Sequence, residues 1–263
     1  MSSSESYRQP PVVLHLPHSA VEIPPDVREK ILLTDNELNK EILCMTDLYT
    51  DEIFALPEQQ AVSIRYPVSR LVLDPERFLD DAHEEMAARG MGLVYTRTSR
   101  GENLRYPPGA SEREELIRRF YHPHHDALRH AVERALSDHL NCLLIDCHSF
   151  PSRPLPYEAD QRPDRPQICI GTDPFHTPYD LEQSAKKQFQ ACGWEVAINR
   201  PFAGALVPTP FFRQDYSVRA IMVEVNRGLY MNEATGAKLA TFSHVAATIQ
   251  QTIHLLIAEF PFT

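Results

Sequence analysis

The chain has 263 residues, 43% hydrophobic and 24% charged, which excludes a disordered chain or a fibre and allows one large domain or two small ones. Aspartate and glutamate outnumber lysine and arginine by 36 to 26, and the net charge of −10 argues against nucleic acid or a membrane surface as the main partner. Five cysteines without a C-x-x-C pair indicate neither a disulfide framework nor a thiolate zinc site.

Residues 1–10 read as a flexible tail and 11–263 as a single domain. Val12 to Leu16 is a β-branched run between Pro10-Pro11 and Pro17, a first strand with His18 on the loop after it. Thr34-Asp35-Asn36-Glu37 is a capping box, and Leu38, Ile42, Met45, Tyr49 and Ile53 continue it as a helix up to Pro57. Strands are predicted around 61–66, 70–73 and 93–96. A second capping box at Ser111 to Glu114 opens a long helical pattern that Pro123 should break or kink.

Cys142 to Asp146 is a continuous apolar run ending in an acid, the pattern of a buried parallel strand that delivers polar groups at its C-terminal end. The proline- and charge-rich stretch 151–166 is a loop able to cover a site. A strand at 167–170 follows, then a helix with Pro178 at its first position, strands at 196–198 and 220–225, and a long helix over 232–259. Strands alternate with helices and no repeat or linker divides them, so the expected architecture is α/β with a central mixed sheet flanked by helices.

No secretory signal pattern opens the sequence, and no run approaches the ~18 apolar residues of a membrane span, so a soluble cytoplasmic protein is the expectation. Dinucleotide, P-loop and nucleophile-elbow glycine motifs are absent, and Ser184-x-x-Lys187 lacks its companion motifs.

Three segments share a grammar in which an apolar run emerges into polar groups: His18-Ser19, Asp146-Cys147-His148-Ser149, and Glu224 within Val223 to Arg227. Hydrolytic zinc takes three protein ligands, commonly imidazole and carboxylate, and keeps one position open. His18 and His148 supply the imidazoles, Asp47 is a carboxylate candidate, and Asp146 could orient a ring. Glu224 is either salt-bridged to Arg227 or Arg219, or a general base tuned by burial. Arg65, Arg70, Arg77, Arg200, Arg213 and Arg227 could contribute to a carboxylate clamp. In His122-Pro123-His124-His125 the proline disrupts ligand spacing, which makes the cluster structural, with His125 its member to watch. A metal-free reading pairs Cys147 or Ser149 with His148, although immediate neighbours on a strand face opposite ways.

In order along the chain, Pro17-His18-Ser19-Ala20, Thr46-Asp47, Val68 to Arg77, Tyr121 to His125, Asp146-Cys147-His148-Ser149, Gly171-Thr172, Asn199 to Gly204, and Val223-Glu224 to Met231 resemble the N-formylglutamate amidohydrolase family. The resemblance implies a zinc-exopeptidase-like fold similar to the carboxypeptidases. It implies one divalent ion, zinc, on His18 and His148, with Glu224 as the catalytic glutamate. Asp47 matches a characteristic acid and is favoured as third ligand over Glu22. The substrate implied is N-formylglutamate or a related small anionic amide, recognised by Arg70 and Arg77 with Asn199, Arg227 and Tyr230 near the pocket. The family's His-Ser-Gly is His-Ser-Ala here, its Asp-Leu-Asn-Arg is Asp74-Pro75-Glu76-Arg77, and its Gly-Gly is Gly204-Ala205. Metal-dependent amide hydrolysis is thus carried further than formylglutamate itself, beside the alternative of a binding protein that kept the fold and lost catalysis.

Overall fold

A computed structural model describes residues 8–260, so most of the expected tail, residues 1–7, lies outside the described residues. Six aliphatic runs pair into one mixed sheet: β1 (Val12–Leu16), β2 (Val62–Arg65), β3 (Cys142–Phe150), β4 (Ile168–Gly171), β5 (Val196–Ile198) and β6 (Val218–Asn226). Their order is β2-β1-β3-β6-β4-β5, parallel except where β4 runs against β6. The inner strands β1 and β3 are buried along their whole length, which is why they read as unbroken apolar runs.

Side chains alternate across the sheet. Leu143, Ile145 and Cys147 face the helices α3 (Tyr179–Ala191) and α4 (Phe242–Glu259), which pack Phe189, Ile249 and Ile253 against them. Cys142 and Leu144 face α2 (His122–His139), which presents Leu128, Ala131, Val132 and Ala135. Along this second face the register turns polar towards the C-terminal strand ends, pairing His15 with Asp146 and His148 with Glu224.

Several elements depart from expectation. The Thr34 capping box forms with both reciprocal bonds and opens α1 (Asp35–Met45), but the helix stops before Asp47. Asp47 N–H donates instead to the His18 carbonyl at 2.9 Å, and Tyr49 is left-handed at φ 69°, so tertiary bonds override the helical pattern. The stretches 70–73 and 93–96 are buried turns that fill a core rather than joining the sheet, a known ambiguity of short apolar runs.

No side-chain cap forms at Ser111; Gly109 is the cap of the helix that starts at Ala110. Pro123 neither breaks nor ends this helix, because a π-turn over Ile117–Tyr121 precedes it and seats it in the first turn of α2. Cys147 to Phe150 continue β3, Pro178 caps α3 rather than entering it, and α4 starts only at Phe242, after a turn closed by a Met231–Lys238 bridge. Among the described residues no helix is long and apolar enough to cross a membrane.

Candidate active site

His18 follows β1 where Pro17 ends the strand, and its Nε2 lies 2.9 Å from Asp74 Oδ1. Asp74 is fully buried and also takes Arg70 Nη2 at 2.7 Å, the Glu76 amide at 3.0 Å and the Tyr95 hydroxyl. Burial opposes its charge, but Arg70, His18 and Arg77 hold the carboxyl well below the usual range. His148, on β3, is arranged in the same way: its Nε2 lies 3.1 Å from Asp146 Oδ1. On His18 the Nε2 carboxylate fixes the Nε2–H tautomer and leaves Nδ1 as the lone-pair nitrogen, whereas His148 is bonded on both nitrogens, and against its burial Glu76, Asp146 and Asp47 raise it well above the usual imidazole range.

Both Nδ1 atoms turn towards Asp47, whose Oδ2 is 3.1 Å from His148 Nδ1 and 3.7 Å from His18 Nδ1. Its other oxygen takes Arg227 Nη2 at 2.7 Å. Buried though it is, Asp47 is held well below the usual carboxylate range by His148, His18 and Arg227. Tetrahedral ligands with metal bonds of 2.0–2.1 Å stand about 3.3 Å apart, and the two Asp47–imidazole separations, 3.1 and 3.7 Å, lie on either side of that value. His18 Nδ1 is buried without a hydrogen-bond partner, as a nitrogen kept for a metal would be.

Glu76 offers a second carboxylate, 3.2 Å from His148 Nε2 and 3.7 Å from His18 Nε2, and these three donor atoms lie within 4.8 Å of one another. A similar group joins His15, Glu76 and Asp146. Asp74 and Asp146 already stand at these Nε2 positions, while the Nδ1 sides of both rings face Asp47, which belongs to neither group. Glu22 is exposed, with its carboxylate turned back to the Val21 amide, and takes no part.

Glu224 stands directly across from His148 on β6, and its Oε2 is buried without a partner. Burial pushes this carboxyl up to about 8, with Asp47 and Glu76 adding to the rise against His148 and Arg227. It forms no salt bridge to Arg227 or Arg219, so the ion-paired alternative left by the sequence is not the arrangement found. Cys147 lies in the core on the other face, its thiol raised well above the usual range by burial, and Ser149 Oγ accepts Arg227 Nε at 3.1 Å. Neither faces His148, so the metal-free pairing has no geometry to support it.

The predicted recognition residues fare unequally. Arg70 is spent on Asp74, and Arg227 on Asp47, Ser149 and the Cys44 carbonyl. Tyr230 is fully buried and donates to the Leu48 carbonyl at 3.0 Å; these three shape the site from behind. Asn199 is exposed at the end of β5, where its side chain bonds Thr172. Arg77 alone lines a cavity, with its Nε on the Met91 carbonyl at 3.3 Å. That cavity, of about 490 Å³, is walled by the 203–207 segment, Met222, Tyr121, His125 and the 75–78 turn, and reaches Glu76 and Asp146. A cavity of about 570 Å³ at the opposite, N-terminal edge of β3 and β6 is remote from the imidazoles.

Sequence reasoning overlooked His15 and Asp74. His15 interrupts an apolar strand at a position whose alternation places it on the Asp146 face, a signal that could have been read. Asp74 follows the stretch 70–73 read as a strand and stands in the sequence only as the first residue of the altered Asp74-Pro75-Glu76-Arg77 segment; the turn reveals its role.

Two imidazoles, each oriented by a buried aspartate, converge with a carboxylate at the strand ends of a mixed sheet beside an unpartnered glutamate. This is an α/β protein with a histidine–carboxylate centre of the hydrolase type. The chain belongs to the N-formylglutamate amidohydrolase family, whose model matches residues 10–231, and it is an amidohydrolase. The crystal structure of N-formylglutamate amidohydrolase from Ralstonia eutropha JMP134 superposes with a TM-score of 0.79 at 22% identity, covering 96% of this chain and 94% of that one. A gene product of Agrobacterium tumefaciens superposes with a TM-score of 0.65 at 16% identity, covering 94% and 92%. These likenesses establish the shared fold. No curated protein sequence matches the chain.

Proposed function

We propose that the protein is a metal-dependent hydrolase of small N-acyl amino acids, N-formyl compounds foremost. The observation that carries this reading is the unpartnered, buried Nδ1 of His18 facing Asp47 beside His148. His18, His148 and Asp47 would hold a divalent ion, zinc in our reading, which would supply Lewis acidity towards the amide carbonyl and towards water. Glu224 accepts the proton of the attacking water and passes it to the departing nitrogen. Its raised pKa suits both tasks near neutral pH. Asp74 and Asp146 keep the imidazoles in one tautomer, and Arg77 holds the substrate carboxylate.

The test pairs elemental analysis with formate release from N-formyl amino acids before and after chelation. Release that falls with chelation and returns with zinc supports the proposal; release indifferent to chelators overturns the metal dependence. Glu224→Gln should retain metal and lose at least about a thousandfold in turnover, within the contribution of a general base together with its proton return. Full activity in that variant removes Glu224 from the role. His148→Ala should instead lower the metal content.

A further inference from the structure

The cavity beside the imidazoles carries charges that do not suit a dicarboxylate. Arg77 is the one guanidinium among its lining residues, it already faces Asp74 at 3.7 Å and Glu84 at 3.9 Å, and Glu76 stands next to it with 17% of its side chain exposed. The protons nearest the Glu76 carboxylate belong to His148 and His18 Nε2, which Asp146 and Asp74 already claim. Glu76 thus sets a carboxylate against the cavity beside Arg77. His125 cannot offset it, since burial holds this ring neutral, down to about 4, and its Nε2 is on the Pro75 carbonyl.

Apart from Asp146, Thr209, Tyr121 and His125 the remaining walls are apolar. Leu206, Val207 and Met222 form the interior, and Phe78 and Phe212 stand at the rim, 62% and 39% exposed. Large apolar groups left in water around a concave site mark a surface that an apolar ligand covers.

We infer that the site selects an N-acyl amino acid with a single carboxylate and an apolar, aromatic-sized side chain, and that Glu76 turns away glutamate-like diacids. One carboxylate pairs with Arg77; a second would meet Glu76 with no cation to receive it. This inference rests on the hydrolase reading above and narrows its substrate.

The test compares kcat/KM of the zinc-loaded protein for N-formyl-L-phenylalanine and N-formyl-L-glutamate. Alongside it, calorimetry measures the binding of both compounds to the Glu224→Gln protein. The phenylalanine compound should be favoured at least tenfold in each measurement. Glu76→Gln should improve the glutamate compound and bring the ratio towards one. A wild-type preference for the glutamate compound overturns the inference while leaving the hydrolase reading intact. If neither compound is hydrolysed, the hydrolase reading fails and the calorimetry decides the side-chain preference alone: tighter binding of the phenylalanine compound supports it, and equal or absent binding overturns it.

Discussion

The Nε2 atoms of His15 and His124 stand 2.9 Å apart in the core, so one ring donates and the other accepts. His15 Nδ1 gives its proton to Asp146 Oδ1 at 2.8 Å, which makes His15 the acceptor and His124 the donor. The same Asp146 oxygen takes the Nε2–H of His148. A line of fixed tautomers thus runs from α2 to the active site.

This arrangement makes the fold sensitive to mild acid. Burial pushes His124 down to about 2 and His125 down to about 4, so both stay neutral in the folded protein at pH 5. In the unfolded chain each protonates below its ordinary pKa of about 6.5, so the unfolded state gains protons first and stability is lost as pH falls below that value. Each ring should cost about 2 kcal/mol between pH 8 and pH 5. Urea unfolding at the two pH values measures the loss, and His124→Gln should flatten it; an unchanged pH slope in that variant would contradict the assignment.

Asp74 serves His18, Arg70 and Tyr95 together. Asp74→Ala leaves a buried guanidinium without its carboxylate and should cost about 3–5 kcal/mol. Asp74→Asn is gentler to the fold but weakens the hold on the His18 tautomer, so metal affinity should drop about 10- to 100-fold. Chelator competition reads that drop, and an affinity equal to wild type would show that His18 needs no such partner.

Gly171 ends β4 with its α-carbon against the 203–207 wall of the cavity. A methyl group there would overlap the Gly204 carbonyl oxygen and the terminal carbon of Met222. Gly171→Ala should destabilise the protein by about 1–3 kcal/mol and raise KM more than it lowers kcat. Thermal unfolding and steady-state kinetics check the two effects separately.

Cys147 neighbours His148 in sequence but points into the opposite layer. Cys147→Ala should leave kcat/KM within about twofold of wild type, and thiol alkylation of the native protein should not inhibit. Loss of turnover in a folded Cys147→Ala protein would revive a nucleophilic cysteine.

The strand positions around the site were legible because their signals are local. Val12 to Leu16 and Cys142 to Asp146 are apolar runs closed by a proline or an acid, and the polar residues after them lie where a parallel sheet delivers function. His18, His148 and Glu224 come together for that reason. The break before Asp47 was not legible, since only the distant His18 carbonyl and Arg227 explain why a good helical pattern stops. Nor was the fate of the arginines: Arg70, Arg77 and Arg227 look alike in sequence, and their partners, Asp74, Met91 and Asp47, are set by tertiary packing. The π-turn before Pro123 leaves no sequence signal beyond the proline itself.

The strand order carries a consequence for biogenesis. His18 follows the first strand, while Glu224 lies on the last, which docks directly against β3 in the middle of the sheet. The centre of the sheet cannot close until residue 226 has left the ribosome, and every nascent chain shorter than that exposes the flank of β3 as an unpaired edge. Such long-range pairing is slow to form. The half-made protein is therefore the form most exposed to misassembly, and Glu224 joins the imidazoles only after synthesis of β6 is complete.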